Sequence, residues 1–510
     1  MESSFFSRVT KAVGSNFVGQ IIVFARGILL VPLFLHYWGG VLYGEWLVLS
    51  AAISYLALLD IGIQSFVVNR MCQAYVQNRI EDLHRDLHSF LRLFLVIISI
   101  GALLLASFLL FFPVDELLKF KVTPQFTASI SIVFLGMNIL FVSLPIGLVA
   151  SLYRATGEFA RGAMIGNCFS FAILSANTIV LWAGGGMVMF SFSIFSIAGI
   201  HGFLVIWDLS RIRPNIKVSL RDGSIRHAIQ FIGPSLLFFI ISIATLLNIQ
   251  GTLLVLNFFL GGMAVARYST LRALSQFAIQ IGSLLSPVIW PELTSLDARG
   301  DVDNFKKIWS SYVKINVLSA FCVVIPLRNI APDLYVLWTG NKLIFDPILL
   351  DIFLIQIVLM VFWSGFGMPL LSTNRHRGYS LTMFINAVLT ILLSLWFVRI
   401  WGINGVAGAS LLVDFFFTSP IIIILVSKYF KESASQIIIR FILPGGLIGG
   451  AVMFASAWVI PLAGSSIVLM LFMAGILVAI YLVLSYCLWL NDEERGMTVD
   501  IFRKLRAYVS

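Results

Sequence analysis

Charge is scarce in this chain: 11% of its 510 residues are Asp, Glu, Lys or Arg, against about 25% in ordinary soluble domains. So few charged groups cannot cover a water-exposed surface of this length, which excludes a soluble multidomain protein. Cysteine is scarcer still. Cys72, Cys168, Cys322 and Cys487 have no paired spacing, so neither a disulfide framework nor a cysteine-ligated metal site is expected. The six histidines carry no ligand pattern, because Arg85 and Asp86 between His84 and His88 put that pair on a solvated face. No metal and no cofactor are expected. The longest polar segments, about 64–89, 208–228 and 490–510, contain no Walker loop, which excludes ATP hydrolysis within the chain. The stretches between the other hydrophobic segments are shorter, and none offers two positioned carboxylates for acid–base work. A membrane glycosyltransferase or polymerase would need such a loop, so the chain reads as a non-enzyme.

What is abundant is apolar surface: 59% of residues are hydrophobic and the mean hydropathy is +0.99. Segments of about twenty apolar residues, the length that spans a bilayer, recur from 13–36 to 465–489. They predict an all-α polytopic membrane protein of about 14 transmembrane helices. With a cytoplasmic N-terminus, the outside loops hold only Lys119, Lys121, Arg328, Lys342 and Arg399 of the 34 lysines and arginines. That asymmetry predicts both termini inside and an even helix count. It also accounts for the net charge of +10 without nucleic acid. The first segment is too long for the apolar core of a signal peptide and is expected to serve as its own insertion signal.

Arg26 stands near the middle of the first apolar stretch, 14–35. An arginine at that depth costs about 2.5–3.5 kcal/mol on insertion scales and is seldom left to lipid. Ser15 and Gly19 share its helical face and Gly27 lies beside it, so small neighbours are expected to leave room around the guanidinium. A fixed cationic fork in a membrane cavity suits phosphate or pyrophosphate; a structural partner carboxylate is the other reading. In the eighth segment, Arg267 is shallow enough to snorkel, whereas Arg272 is deeper; five positions apart, the two diverge by about 140° around the helix. Asp414, midway along the twelfth segment, is either the partner of an arginine or a carboxylate that carries a coupling proton. Asp60 is expected to cap or salt-bridge at an inner helix end, and Glu45 is a further candidate for coupling or ion pairing. Arg92, Lys314 and Arg440 are expected to snorkel to the inner interface.

Weak internal duplication organises the chain. Gly39 and Gly40 follow the first segment as Gly261 and Gly262 follow the seventh, with Glu45 and Arg267 each five residues on. Basic turns containing Arg154 and Arg161 in one half, and Arg375 and Arg377 in the other, precede segments that carry Asn167 and Asn386. The pattern predicts a six-helix lobe over 1–207, a basic cytoplasmic linker over 208–228, a second six-helix lobe over 229–430, two further helices over 431–490 and a cytoplasmic tail over 491–510.

Gly39-Gly40-Val41-Leu42-Tyr43-Gly44-Glu45-Trp46, with Tyr55-Leu56-Ala57-Leu58-Leu59-Asp60-Ile61-Gly62, resembles the polysaccharide transporter family. These are the O-antigen and lipid-linked oligosaccharide flippases of the multidrug/oligosaccharidyl-lipid/polysaccharide (MOP) superfamily. Leu152-Tyr153-Arg154-Ala155-Thr156-Gly157-Glu158-Phe159 and Trp401-Gly402-Ile403-Asn404-Gly405-Val406-Ala407-Gly408-Ala409 look like two more of its segments. The likeness runs over about residues 10–430. It implies a V-shaped bundle in the bacterial inner membrane that flips undecaprenyl-pyrophosphate-linked glycan by alternating access, with cations on segments 1, 2, 7 and 8. Here those would be Arg26, Arg267 and Arg272; segment 7 departs from the pattern, offering only Asn248, Gln250 and Asn257. The expected partners are the lipid-linked glycan, the bilayer, a polysaccharide polymerase and a chain-length regulator, with proton or sodium as coupling ion. The alternative is a cation-coupled drug or metabolite antiporter of the same superfamily, which would call for acidic cavity residues.

Overall fold

The computed structural model describes residues 2–220, 222–373, 375–460, 467–492 and 494–496. Arg221 and the tail residues Arg503, Lys504 and Arg506 lie outside the described residues, as does most of the expected 491–510 tail. Every described regular element is a helix. The long ones are α1 (Glu2–Tyr37), α2 (Gly39–Ser54), α3 (Ile63–Val76), α4 (Ile80–Phe111), α5 (Gln125–Ala155), α6 (Phe159–Trp182) and α7 (Met187–Ile212). Next come α8, which runs from Ile232 through a π segment to Leu260, α9 (Gly262–Ser275), α10 (Gln280–Arg299), α11 (Val302–Thr339) and α12 (Pro347–Ser372). The last are α13 (Arg377–Val413), α14 (Ser419–Phe430), α15 (Ala434–Val459) and α16 (Ile467–Leu488).

Among the described residues, twelve stretches are long and apolar enough to cross a membrane. One of them, Arg377–Phe430, joins two helices at Gly402, whose φ of +58° and ψ of −132° no L side chain adopts comfortably. The expected eighth segment is not among the twelve: it is divided between α9 and α10 by the 3-10 turn Gln276–Ile279. The polar stretch 64–89, expected as a loop, is instead helical except around 77–79. Its sequence carries the signal: Leu83, Leu87, Phe90 and Phe94 repeat at helical spacing and are fully buried with Val67, Met71 and Tyr153 in one apolar cluster. His88 is correspondingly buried, and its Nε2 donates to the Lys217 carbonyl at 2.7 Å, while His84 Nε2 accepts from the Lys217 N–H at 3.2 Å. This corrects the solvated face expected for the pair.

Contacts divide the chain into two compact units. The first holds Met1–Thr270, Trp338–Ile344 and Met383–Val406; the second holds Leu271–Leu337, Phe345–Thr382 and Ala407–Ser510. Within the first unit the two duplicated glycine motifs meet. A Cβ on Gly44 would lie 1.8 Å from the Gly262 carbonyl oxygen, so a methyl group there would force α2 and α9 apart. The two asparagines of the repeat also make matching contacts: Asn167 donates to the Ser15 carbonyl on α1 at 2.7 Å, and Asn386 accepts from Asn248 on α8 at 2.9 Å.

Proline at membrane depth is accommodated in two ways. A proline has no N–H for the carbonyl four residues back, and in hydrocarbon that carbonyl finds no water. In α1, Pro32 frees the Ile28 carbonyl, which accepts from Trp338 Nε1 at 2.8 Å. In α12, Pro369 frees the Gly365 carbonyl, which accepts from Trp309 Nε1 at 3.1 Å. Elsewhere the backbone itself adjusts. The π segments Asn138–Ser143, Asp414–Thr418 and Ile438–Ile442 are each followed two residues later by a proline: Pro145, Pro420 and Pro444. Wider i→i+5 turns ahead of the ring absorb the geometry that a regular helix would refuse.

Candidate functional site

Arg26 lies in the first unit, mid-span on α1. Among the described residues no carboxylate pairs with it. Its surroundings differ from those expected. Ser15 is buried and Gly19 faces Asn167, whose Oδ1 would stand 2.7 Å from a Cβ at that glycine. Those small residues therefore serve the α1–α6 contact rather than a ligand. Gly27 is the neighbour that leaves open space, since a Cβ there would meet nothing within 4 Å. Arg267, partly buried in the first unit, donates its Nε to the Ile344 carbonyl at 3.2 Å. Arg272, partly buried, belongs to the second unit.

The carboxylates separate by role. Glu45 is buried and accepts from the backbone N–H groups of Lys121, Val122 and Thr123 and from the Thr123 hydroxyl, so it pins the α4–α5 loop. Four donors fill its lone pairs without any cation. Asp60 ends the 3-10 turn after α2, and its Oδ1 accepts the Gln64 N–H at 3.2 Å across the left-handed Ile61 and Gly62. That geometry satisfies one of the orphan donors at the start of α3. Asp414 is buried in the second unit, at the head of a π segment, and Gln356 on α12 donates to its Oδ2 at 3.2 Å. π segments of this kind recur at functional positions.

Several cations have structural duties that the sequence left open. Lys314, expected to snorkel, is buried and pairs with Glu494 at 2.6 Å; Asn491 N–H donates to the same carboxylate at 3.0 Å. The Trp489 carbonyl accepts from Lys314 Nζ, and Trp489 Nε1 donates to the Arg440 carbonyl, so the segment after α16 folds back into the second unit. Arg92, also expected to snorkel, instead holds the carbonyls of Leu220 and Gly223 in the linker. On the side expected to be outside, Lys342 caps the end of α1 through the Leu35 and His36 carbonyls at 2.9 and 3.2 Å. Lys119 does the same for the Phe258 carbonyl of α8 at 3.2 Å. Arg328 forms a two-pronged pair with Asp351 at 2.9 and 3.2 Å, and Arg399 lies over the Phe259 ring. Cations at helix C-termini satisfy carbonyls that have no helical partner. Among the described residues, Arg26 has no such duty.

Neither a protein-family model nor a curated protein matches the chain. Solved structures do resemble it. A lipid II flippase, MurJ, in an inward closed conformation superposes with a TM-score of 0.70 at 14% identity, covering 92% of this chain and 98% of that one. An inward-facing multidrug resistance MATE family transporter of the MOP superfamily gives 0.59 at 16% identity, covering 82% and 94%. An outward-facing MATE family transporter of the same superfamily gives 0.57 at 15% identity, covering 83% and 95%. At such identities the likeness is one of fold: this chain is an all-α, multi-pass membrane protein with the architecture of the MOP-type transporters.

Proposed function

We propose that this chain is a flippase that moves an undecaprenyl-pyrophosphate-linked oligosaccharide, such as an O-antigen unit, across the bacterial inner membrane by alternating access. The observation that carries the reading is Arg26. A guanidinium at mid-span that no described carboxylate neutralises has a large unmet electrostatic demand. A pyrophosphate satisfies it with paired acceptor oxygens. Arg272 and Arg267 would supply further contacts, and Asp414 would carry a coupling proton or sodium ion. The halves 1–207 and 229–430 would be the moving lobes, joined by the linker 208–228. The fold's likeness to a lipid II flippase supports a lipid-linked cargo. The antiporter reading needs free acidic groups, and two of the three candidate carboxylates, Glu45 and Asp60, have structural duties.

Charge pairs 4 Å apart at an effective dielectric near 20 are worth about 4 kcal/mol, against about 0–1 kcal/mol for a surface pair. Arg26→Ala and Arg272→Ala should therefore block surface glycan display in the native host while the protein stays in the membrane. Arg26→Lys should retain part of the activity, because charge survives without the bidentate fork. Arg267→Ala should be milder, since its Nε already serves the Ile344 carbonyl. Wild-type display by Arg26→Ala at native expression would refute the pyrophosphate role.

A further inference from the structure

Within the first unit, α6 and α7 leave a groove of about 380 Å³ between them, in the size range of small-molecule sites. Its walls are apolar, formed by Met164, Cys168, Ala172, Ile200 and Leu204. Polarity enters at one end only, where Trp207 and Asp208 lie, apart from His201, whose ring stacks on Phe169 at 4.3 Å.

The polar end is cationic. The adjoining helix ends carry Arg154, Arg161, Arg211 and Arg213 against Glu158 and Asp208. Asp208 is held by Arg161 at 2.6 and 2.9 Å and by the Tyr153 hydroxyl at 2.7 Å, and Glu158 is held by Arg213 at 2.8 Å. Both carboxylates are thus neutralised. Arg211 forms no ion pair among the described residues, and its guanidinium lies 4.1 Å over the indole of Trp207, a wall of the groove. Arg161 still exposes half of its side chain. A slot that is apolar along its length, closed by unneutralised guanidinium charge at the end where basic residues cluster, complements a molecule with a hydrocarbon chain and an anionic head. His201 lies six residues from Trp207, about 9 Å along the helix, at a depth where a glycerol ester follows the phosphate.

We propose that the α6–α7 groove binds an anionic phospholipid, with one acyl chain along Cys168 and Leu204 and the phosphate on Arg211 and Arg161. This site is separate from the Arg26 reading and stands or falls without it. One arginine at an anionic lipid surface contributes about 1 kcal/mol, or roughly fivefold in affinity.

Cys168 is exposed in the groove and provides the probe. With Cys72, Cys322 and Cys487 changed to serine, a bimane on Cys168 is read in phosphatidylcholine nanodiscs that contain brominated phosphatidylglycerol or brominated phosphatidylcholine. Phosphatidylglycerol should quench with about fivefold higher apparent affinity, and Arg211→Gln should remove that preference. A bimane at Leu104, exposed on α4, should show no preference. Native mass spectrometry of the unlabelled protein should find a retained phosphatidylglycerol that Arg211→Gln and the groove-filling Ala172→Trp both lose. Equal quenching by the two lipids, or a preference that survives Arg211→Gln, would overturn the proposal. So would displacement by undecaprenyl phosphate but not by phosphatidylglycerol, which would give the groove to a prenyl chain.

Discussion

The indole that caps α12 can be tested as a coupled pair. Pro369 removes the N–H that would bond the Gly365 carbonyl, and Trp309 Nε1 replaces it at 3.1 Å in a buried environment. Trp309→Phe keeps an aromatic ring against Phe366, Phe430 and Phe441 but deletes the donor. The carbonyl is then left without a partner away from water, at about 1–3 kcal/mol, on top of a packing loss from the smaller ring. Pro369→Ala supplies an amide hydrogen that reaches Gly365 through the ordinary i→i−4 bond. In that background Trp309→Phe should cost only the packing part. The coupling energy of the double-mutant cycle should therefore be about 1–3 kcal/mol, with the packing loss cancelling. Unfolding in mixed micelles with increasing SDS, followed by tryptophan fluorescence or circular dichroism, gives the four stabilities. Equal cost of Trp309→Phe in both backgrounds would refute the capping role.

Two further outcomes follow from the second unit. Lys314→Ala leaves Glu494 charged and buried, so it should destabilise by about 3–5 kcal/mol, whereas Lys314→Met with Glu494→Leu should restore most of that in the same unfolding assay; an unaffected single mutant would mean that the segment after α16 is not docked. Asp414→Asn keeps the hydrogen-bonding capacity toward Gln356 but removes the ionisable group. If Asp414 carries a coupling proton, the change should abolish pH-gradient dependence of transport in liposomes while leaving the fold intact, and an unchanged dependence would refute the proton role.

The sequence alone determined the class. Long apolar runs admit only helices in a bilayer, because each backbone N–H and C=O must be satisfied within the segment, and this constraint acts locally. Arg26 was legible for the same reason: a charge inside an apolar run is costly wherever the helix packs. The helical continuation through 80–94 was also written in the spacing of Leu83, Leu87, Phe90 and Phe94, though the polar residues between them masked it. Tertiary structure decided the rest. Pro32 and Pro369 announce freed carbonyls, but nothing local says that Trp338 and Trp309 cap them. Lys314 looked like a snorkelling residue because its partner, Glu494, lies 180 positions away. Ser15 and Gly19 looked like room for a ligand until Asn167 filled it. In each case periodicity fixed the face of a helix, whereas only the fold decided what that face meets.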